Sequence, residues 1–205
     1  MSRLVVINHL TLDGVMQAPG RSDEDSRDGF EHGGWAQPRN DAVMADTMSK
    51  RFPAGAELLL GRRTYQGMAD FWPKQQNNPM STMLDNMQKH VASKTLTEPL
   101  PWQNSTLLKG DAVAAVTALL DQGKNLVVFG SGELLQPLMQ QHLIDEYVLL
   151  IHLLVLGAGR HLFVDGAESM SLQLVDSIAT TKGVVIGVYQ DPNATKRGAA
   201  PSHAQ

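Results

Sequence analysis

A mainly parallel α/β sheet, flanked by helices and closed by antiparallel strands, is the architecture this chain predicts, on three observations. Leu4-Val5-Val6-Ile7 and Glu57-Leu58-Leu59-Leu60 are almost continuously apolar rather than alternating, as strands buried on both faces are. From residue 57 to residue 141 strand-like and helix-like segments follow one another, the pattern of parallel strands joined by crossover helices. After Asp145 the helices stop, and residues 147–155, 171–179 and 183–189 are strand-like with nothing helical between them, so the sheet ends in antiparallel strands.

Taken in order, residues 4–7 form the first strand, and Asp13-Gly14 marks a turn within Leu10-Thr11-Leu12-Asp13-Gly14-Val15-Met16. Residues 19–39 are polar and charged, broken by Gly33-Gly34 and Pro38, and read as a long mobile loop of the kind that serves as a lid. A helix follows over 41–52, with Val43, Met44, Thr47 and Met48 on one face and Asn40 or Asp41 as its cap. Pro53-Ala54-Gly55 ends it. The strand at 57–60 passes through Gly61-Arg62-Arg63-Thr64 into a helix reaching Asp70, and residues 73–79 form another loop before a short helix at 81–86. Strands at 89–93, 105–108 and 125–129 come next, with a helix at 111–122 whose apolar positions are Val113, Val116, Leu119 and Leu120. Residues 134–141 are helical, with Pro137 expected in the first turn, where its missing N–H is harmless. One domain over 1–191 is predicted, followed by a disordered tail, 192–205, of alanine, proline and polar residues.

A chain of 205 residues is long enough for a single core without staples, and it contains no cysteine, which excludes disulfides, thiolate metal sites and thiol chemistry. With 19% charged residues and a net charge of −4, nothing global attracts nucleic acid or an anionic membrane. The longest apolar run, 147–156, is interrupted by His152 and falls far short of the roughly 20 residues of a membrane span. The run at 4–7 is too short for a secretion signal, and a cytoplasmic location is the expectation.

Three strand ends carry anion-binding chemistry. Val127-Val128-Phe129-Gly130-Ser131-Gly132-Glu133-Leu134-Leu135 runs from strand through a glycine pair into a helix, whose first amides are unpaired and carry partial positive charge. Leu135 stands where the dinucleotide fingerprint G-x-G-x-x-G needs its third glycine, and no Walker-type loop is present, so any phosphate cradle here is of another type. Alone, the glycine pair is equally well a tight turn. At Gly61-Arg62-Arg63-Thr64 two guanidinium groups open a helix, which opposes the helix dipole unless an anion is near. Ser93-Lys94-Thr95 by itself is an ordinary exposed strand end, but it matches the rule that ligands of open α/β sheets bind at the strands' carboxyl ends. His32, His142 and His161 lack the spacing of a metal site and read as solvated; Met80, Met83 and Met87 read as packing residues; Asp23-Glu24-Asp25 reads as a solvated charge run able at most to hold a cation weakly. No metal is expected.

Gly61-Arg62-Arg63-Thr64-Tyr65, Val128-Phe129-Gly130-Ser131-Gly132-Glu133-Leu134, Leu143-Ile144-Asp145-Glu146-Tyr147 and Leu156-Gly157-Ala158-Gly159-Arg160-His161-Leu162-Phe163 together resemble the dihydrofolate reductase superfamily. Within it, the chain is most similar to the branch related to the C-terminal reductase domain of bifunctional riboflavin biosynthesis enzymes, over residues 3–190. The resemblance implies a dihydrofolate reductase-like fold and NADPH lying across the strand ends. Arg62, Arg63 and Thr64, next to Gly61, would meet the 2′-phosphate and pyrophosphate; Ser93, Lys94 and Thr95 the adenosine ribose phosphate; Gly130, Ser131, Gly132, Glu133, Leu134 and Leu135 the pyrophosphate. Asp13-Gly14-Val15-Met16 would begin the loop closing over nicotinamide, with Asn8 and His9 on the strand beneath. The carboxylate that assists protonation would be Asp46, with Asp41 as competitor. Leu153 stands where relatives carry proline, and the long 19–39 loop with Trp35 disfavours folate. The implied activity is hydride transfer to a small planar heterocycle at a pterin- or pyrimidine-like C=N or C=O, and the alternative is an NADPH-binding sensor without catalysis. The resemblance also implies a homodimer, to which the 147–156 run would contribute unless it is a core strand, the preferred reading.

Overall fold

The computed structural model describes residues 2–194, so the expected disordered tail, beyond 192–194, lies outside the described residues. The strands are β1 (Leu4–Thr11), β2 (Glu57–Gly61), β3 (Lys89–Ala92), β4 (Ser105–Leu108), β5 (Leu126–Phe129), β6 (Glu146–His152), β7 (Gln173–Ala179) and β8 (Val185–Gln190). The helices are α1 (Ala42–Lys50), α2 (Arg62–Phe71), α3 (Pro79–Asn86), α4 (Ala112–Asp121) and α5 (Gly132–Gln140). All eight strands form one sheet in the order β4-β3-β2-β5-β1-β6-β8-β7, parallel from β4 to β6, with β8 antiparallel to both β6 and β7.

The continuous apolar runs occupy the middle of this sheet because only side chains that lose nothing by dehydration fit between two helical layers. Leu4, Val5, Val6, Leu58, Leu59, Leu60, Leu126, Val127 and Val128 are all fully buried. Alternation along each strand sends Leu4, Val6, Leu59 and Val128 to α4 and α5, and Val5, Ile7, Leu58 and Val127 to the face of α1, α2 and α3. The 147–156 run is the inner strand β6, paired with β1 on one side and β8 on the other.

The structure extends β1 beyond Ile7 to Thr11, since β6 goes on supplying backbone partners, up to Thr11 opposite His152. The polar residues Asn8, His9 and Thr11 end the apolar run without ending the strand. Pro137 falls in the second turn of α5, not the first, because the helix begins at Gly132; the proline therefore removes an interior N–H bond.

Residues 19–39 are also not the open loop their polarity suggests. Val15, Ala18, Phe30, Trp35 and Ala36 form a small core of their own, and the Trp35 Nε1–H donates to the Gln17 carbonyl at 2.7 Å. Few and irregularly spaced, these apolar residues carry no periodic signal. The 23–25 acidic run is internally bonded: Glu24 accepts from the Gly20 N–H and Asp25 accepts from Arg27. His142 likewise has a partner, Asp191, at 2.7 Å.

The least expected core group is Lys89, fully buried in β3. Its ammonium donates to the carbonyls of Asp85, Met87 and Gln103 at 3.2, 2.8 and 3.1 Å and lies 4.4 Å from the centre of the Trp102 ring. Replacing it by Met fits the volume but leaves the Met87 carbonyl without a donor among the described residues and the Gln103 carbonyl with only the Ser105 hydroxyl at 3.5 Å, whereas the Asp85 carbonyl keeps the Asn104 and Gln103 side-chain amides. At about 1 kcal/mol or more for each of these two, Lys89→Met is expected to lower unfolding free energy by about 2 kcal/mol in urea titration.

Candidate active site

The carboxyl ends of β1 to β5 open into one cleft of about 2250 Å³, well above the roughly 300–1,000 Å³ of an ordinary small-ligand pocket and large enough for an extended ligand beside a compact one. Asn8, Gly61, Arg62, Arg63, Thr64, Ser93, Lys94, Thr95, Gly130, Ser131, Gly132, Glu133 and Leu134 all line it. Residues separated by up to 126 positions in sequence are gathered there by the parallel order alone, since each parallel strand ends on the same edge.

Gly130 and Ser131 both adopt left-handed conformations, at φ 55° and 60°. For serine this is unfavourable, and the neighbours over-determine it. The Gly130 N–H donates to Asn8 Oδ1 at 2.7 Å, the Ser131 N–H to Thr64 Oγ1 at 3.2 Å, and the Gly61 N–H to Ser131 Oγ at 2.9 Å. These bonds tie β1, β2 and β5 into one turn. Leu134 and Leu135 bond back to the Ser131 carbonyl, whereas the amides of Gly132 and Glu133 have no partner among the described residues. A Cβ on Gly132 would meet Met16 Sδ at 2.9 Å, so the turn has a close wall on that side.

Three arginines surround Glu133. Arg27 and Arg63 each reach its carboxylate at 2.9 Å and Arg160 approaches to 3.6 Å. Partial burial would raise this carboxyl, but the Arg27 bond and the charges of Arg63, Arg27 and Arg160 hold it below its ordinary value. By contrast, Arg62 bonds only the neutral Gln66, and Lys94 has no hydrogen-bond or ion-pair partner among the described residues. They follow adjacent parallel strands, β2 and β3, and both face the cleft.

Five of the expected residues, counting the competitor Asp41, are placed elsewhere. Asp46 lies on the outer face of α1, its side chain 60% exposed and paired with Lys50 at 2.6 Å, because the apolar positions Met44 and Met48 take the inward face. Asp41 caps α1 through the Met44 N–H and accepts from Thr181 and Lys182; these bonds, the Met44 amide foremost, depress its pKa to about 2. Val15 is buried in the small core under Trp35 and Gly14 packs near His161, so neither lines the cleft; Met16, the next residue, does. Leu135 points into the core against α4 and β6. Sequence reasoning missed Arg27 and His152, whose side chains lie in no recognisable spacing with the rest of the site.

Asp13 ties the turn after β1 to the segment beyond β6, accepting from the Leu156 and Gly157 N–H groups at 3.2 and 2.7 Å. The Thr11 hydroxyl first, then these amides, lower it to about 2. Leu153, the residue in place of proline, is 54% exposed just past the end of β6.

On the α1 face of the cleft His9 Nδ1 lies 2.8 Å from His152 Nε2. Burial and the adjacent His152 lower His9 to about 3, and burial and the charge of Arg39 lower His152 to about 4. Both rings are neutral near pH 7. The unfolded chain binds these protons near the ordinary histidine value of 6.5, so between the two sets of values it holds more protons than the folded one. Stability is therefore complete above pH 6.5 and falls as pH drops through that value toward 4. Melting temperatures measured across this range are expected to decline, with a shallower slope in His152→Gln.

This topology and cleft define the dihydrofolate reductase fold. A putative riboflavin biosynthesis protein from Shewanella sp. PV-4 matches at TM-score 0.65 and 22% identity, covering 92% of this chain and 98% of its own. A pyrimidine reductase-like protein from Corynebacterium diphtheriae matches at 0.59 and 11%, covering 93% and 92%. Dihydrofolate reductase from Enterococcus faecalis, solved with NADP(H) and RAB-propyl, matches at 0.60 and 14%, covering 93% and 97%. The model of the RibD C-terminal domain matches residues 3–186, and the chain belongs to that family. Among curated proteins, the uncharacterized protein YyaP of Bacillus subtilis (strain 168) is 27% identical over 138 residues, 64% of this chain and 72% of its own length. No helix among the described residues is long and apolar enough to cross a membrane.

Proposed function

We propose that this protein is an NADPH-dependent reductase of a small planar heterocycle bearing a pterin- or pyrimidine-like C=N or C=O. The observation that carries the reading is a pair of cations with no acidic partner among the described residues, Arg62 and Lys94, at neighbouring strand ends of the same cleft as the open amides of Gly132 and Glu133. A nucleotide with a terminal 2′-phosphate and an internal pyrophosphate satisfies both sets of groups. Ser93, Thr95 and Thr64 add hydroxyls around the same ligand, and Asn8 Nδ2, buried with no partner among the described residues, offers one more donor beside Gly130. When bound, NADPH supplies a hydride from nicotinamide C4. The chain's own work is to hold the substrate at that end, on the side of Ile7, His9, Ala36, Asn40 and Met48, and to keep water out with the small core under Trp35.

The name of the Corynebacterium relative and the NADP(H) in the Enterococcus structure support this reading. The test is fluorescence titration with NADPH followed by its consumption in the presence of pterins, pyrimidines and quinones. Failure to bind NADPH would overturn the proposal. One observation favours a second reading, an NADPH sensor without chemistry: no carboxylate of α1 or its cap lines the cleft. Binding without consumption of NADPH by any compound of that panel would favour the sensor. The proposal includes a homodimer covering the exposed Leu153 and Val155 past β6, to be tested by light scattering.

A further inference from the structure

We propose that His9, fixed by His152 and Trp35, is the substrate-recognising donor of the cleft, a neutral imidazole that presents its Nε2–H to the carbonyl oxygen or imine nitrogen of a planar heterocycle. The inference rests on the reductase reading for the identity of the ligand, but its geometry stands independently. Strand alternation places His9 on the face of Val5 and Ile7, where α1 and residues 36–40 wall the cleft. The parallel register sets Thr11 opposite His152, and the two imidazoles meet diagonally across β1 and β6. His152 is completely buried, with the Trp35 ring at 90° and 5.2 Å.

The proton positions follow from what surrounds the pair. His152 Nδ1 is buried without a hydrogen-bond partner among the described residues. A proton there would be an orphaned N–H donor, which folded proteins rarely tolerate, so the proton belongs on Nε2 and is donated to His9 Nδ1. His9 Nδ1 is then an acceptor, and its own proton sits on Nε2, the remaining nitrogen of a side chain that lines the cleft. No carboxylate bonds either ring among the described residues, and the nearby charge, Arg39, opposes a cationic ring. Asp41 and Asp46 are committed elsewhere.

A neutral N–H in a half-buried wall selects for an acceptor atom. It also stabilises negative charge that develops on that atom as the adjacent carbon is reduced, without contributing a full charge of its own. His152 and Trp35 act as positioning residues: they determine which nitrogen of His9 carries the proton and how the ring is turned.

The test combines a tautomer measurement with binding of a defined probe, lumazine, a planar pteridine dione. In ¹⁵N-histidine-labelled protein at neutral pH, long-range ¹H–¹⁵N spectra, assigned with His9→Gln and His152→Gln, are expected to show His9 neutral and protonated at Nε2. Calorimetry with NADP⁺ present is expected to show lumazine bound about tenfold more weakly by His9→Leu, the loss of one neutral hydrogen bond. His9→Gln, which keeps an acceptor for His152 and an N–H for the cleft, is expected to stay within about threefold of wild type, and NADP⁺ affinity to be unchanged in both. A cationic or Nδ1-protonated His9, or equal lumazine affinity in wild type and His9→Leu, overturns the assignment. So does failure of wild type to bind lumazine while NADP⁺ binds. Loss of NADP⁺ binding in wild type instead overturns the reductase reading, with the tautomer spectra still deciding the state of His9.

Discussion

Changing Arg62 and Lys94 together to Gln is expected to weaken NADPH binding by about a hundredfold or more while altering NADH binding less than about threefold. Each cation, unpaired among the described residues, would supply a charge-assisted bond to the 2′-phosphate, and such bonds contribute about 1.5–3 kcal/mol apiece. NADH lacks that phosphate, so the discrimination between the nucleotides reports the site directly. Arg63→Gln is expected to do less, because Arg63 already pairs with Glu133, and its loss leaves that carboxylate held by Arg27 and Arg160. Titrations of both nucleotides at two salt concentrations check this, since the NADPH preference of wild type should shrink as salt rises. Equal losses for NADPH and NADH in the double variant would place the 2′-phosphate elsewhere.

Gly159→Ala is expected to be strongly destabilising. Gly159 has φ +127°, and an added Cβ would stand 2.6 Å from Val15 Cγ1 and 2.8 Å from Phe30 Cε2. Neither neighbour can retreat, since both belong to the small core under Trp35. The expected result is about 3 kcal/mol or more of lost stability, with protease cleavage appearing first within residues 19–39. Gly157→Ala is the control. Its φ is also positive, +73°, but nothing lies within 4 Å of the added atom, so only the backbone cost of about 1–2 kcal/mol applies. Similar melting temperatures for the two variants would show that the Val15–Phe30 contact does not hold the 19–39 segment.

Much of the fold was legible because hydrophobic periodicity is a local property. Leu4-Val5-Val6-Ile7, Leu58-Leu59-Leu60 and Val127-Val128-Phe129 announced inner strands, and strand–helix alternation announced the parallel order. Gly130-Ser131-Gly132 and Arg62-Arg63 stood out as candidate cleft residues for a similar reason, since an orphaned helix start is a feature of a few consecutive residues, and all of them line the cleft. Features that depend on distant partners were not readable. Residues 19–39 appeared polar because five packing residues, two of them outside that stretch, are scattered without period, and only their meeting makes a core. Asp46 appeared catalytic because its resemblance to a family position says nothing of helix rotation, and Met44 and Met48 turn it outward.

The chain's residue pattern was thus sufficient to specify an α/β sheet and to mark three strand ends rich in donor groups, because periodicity and helix-start chemistry act over a few residues. Tertiary packing decided the rest. It decided that Arg62 and Lys94 have no acidic partner among the described residues while Arg63 has one, that Lys89 is buried among carbonyls, and that His9 meets His152. Each of these depends on the register between strands far apart in sequence and on how much water the packing excludes, and hydrogen bonding and proton affinity change only once those distances and that desolvation exist.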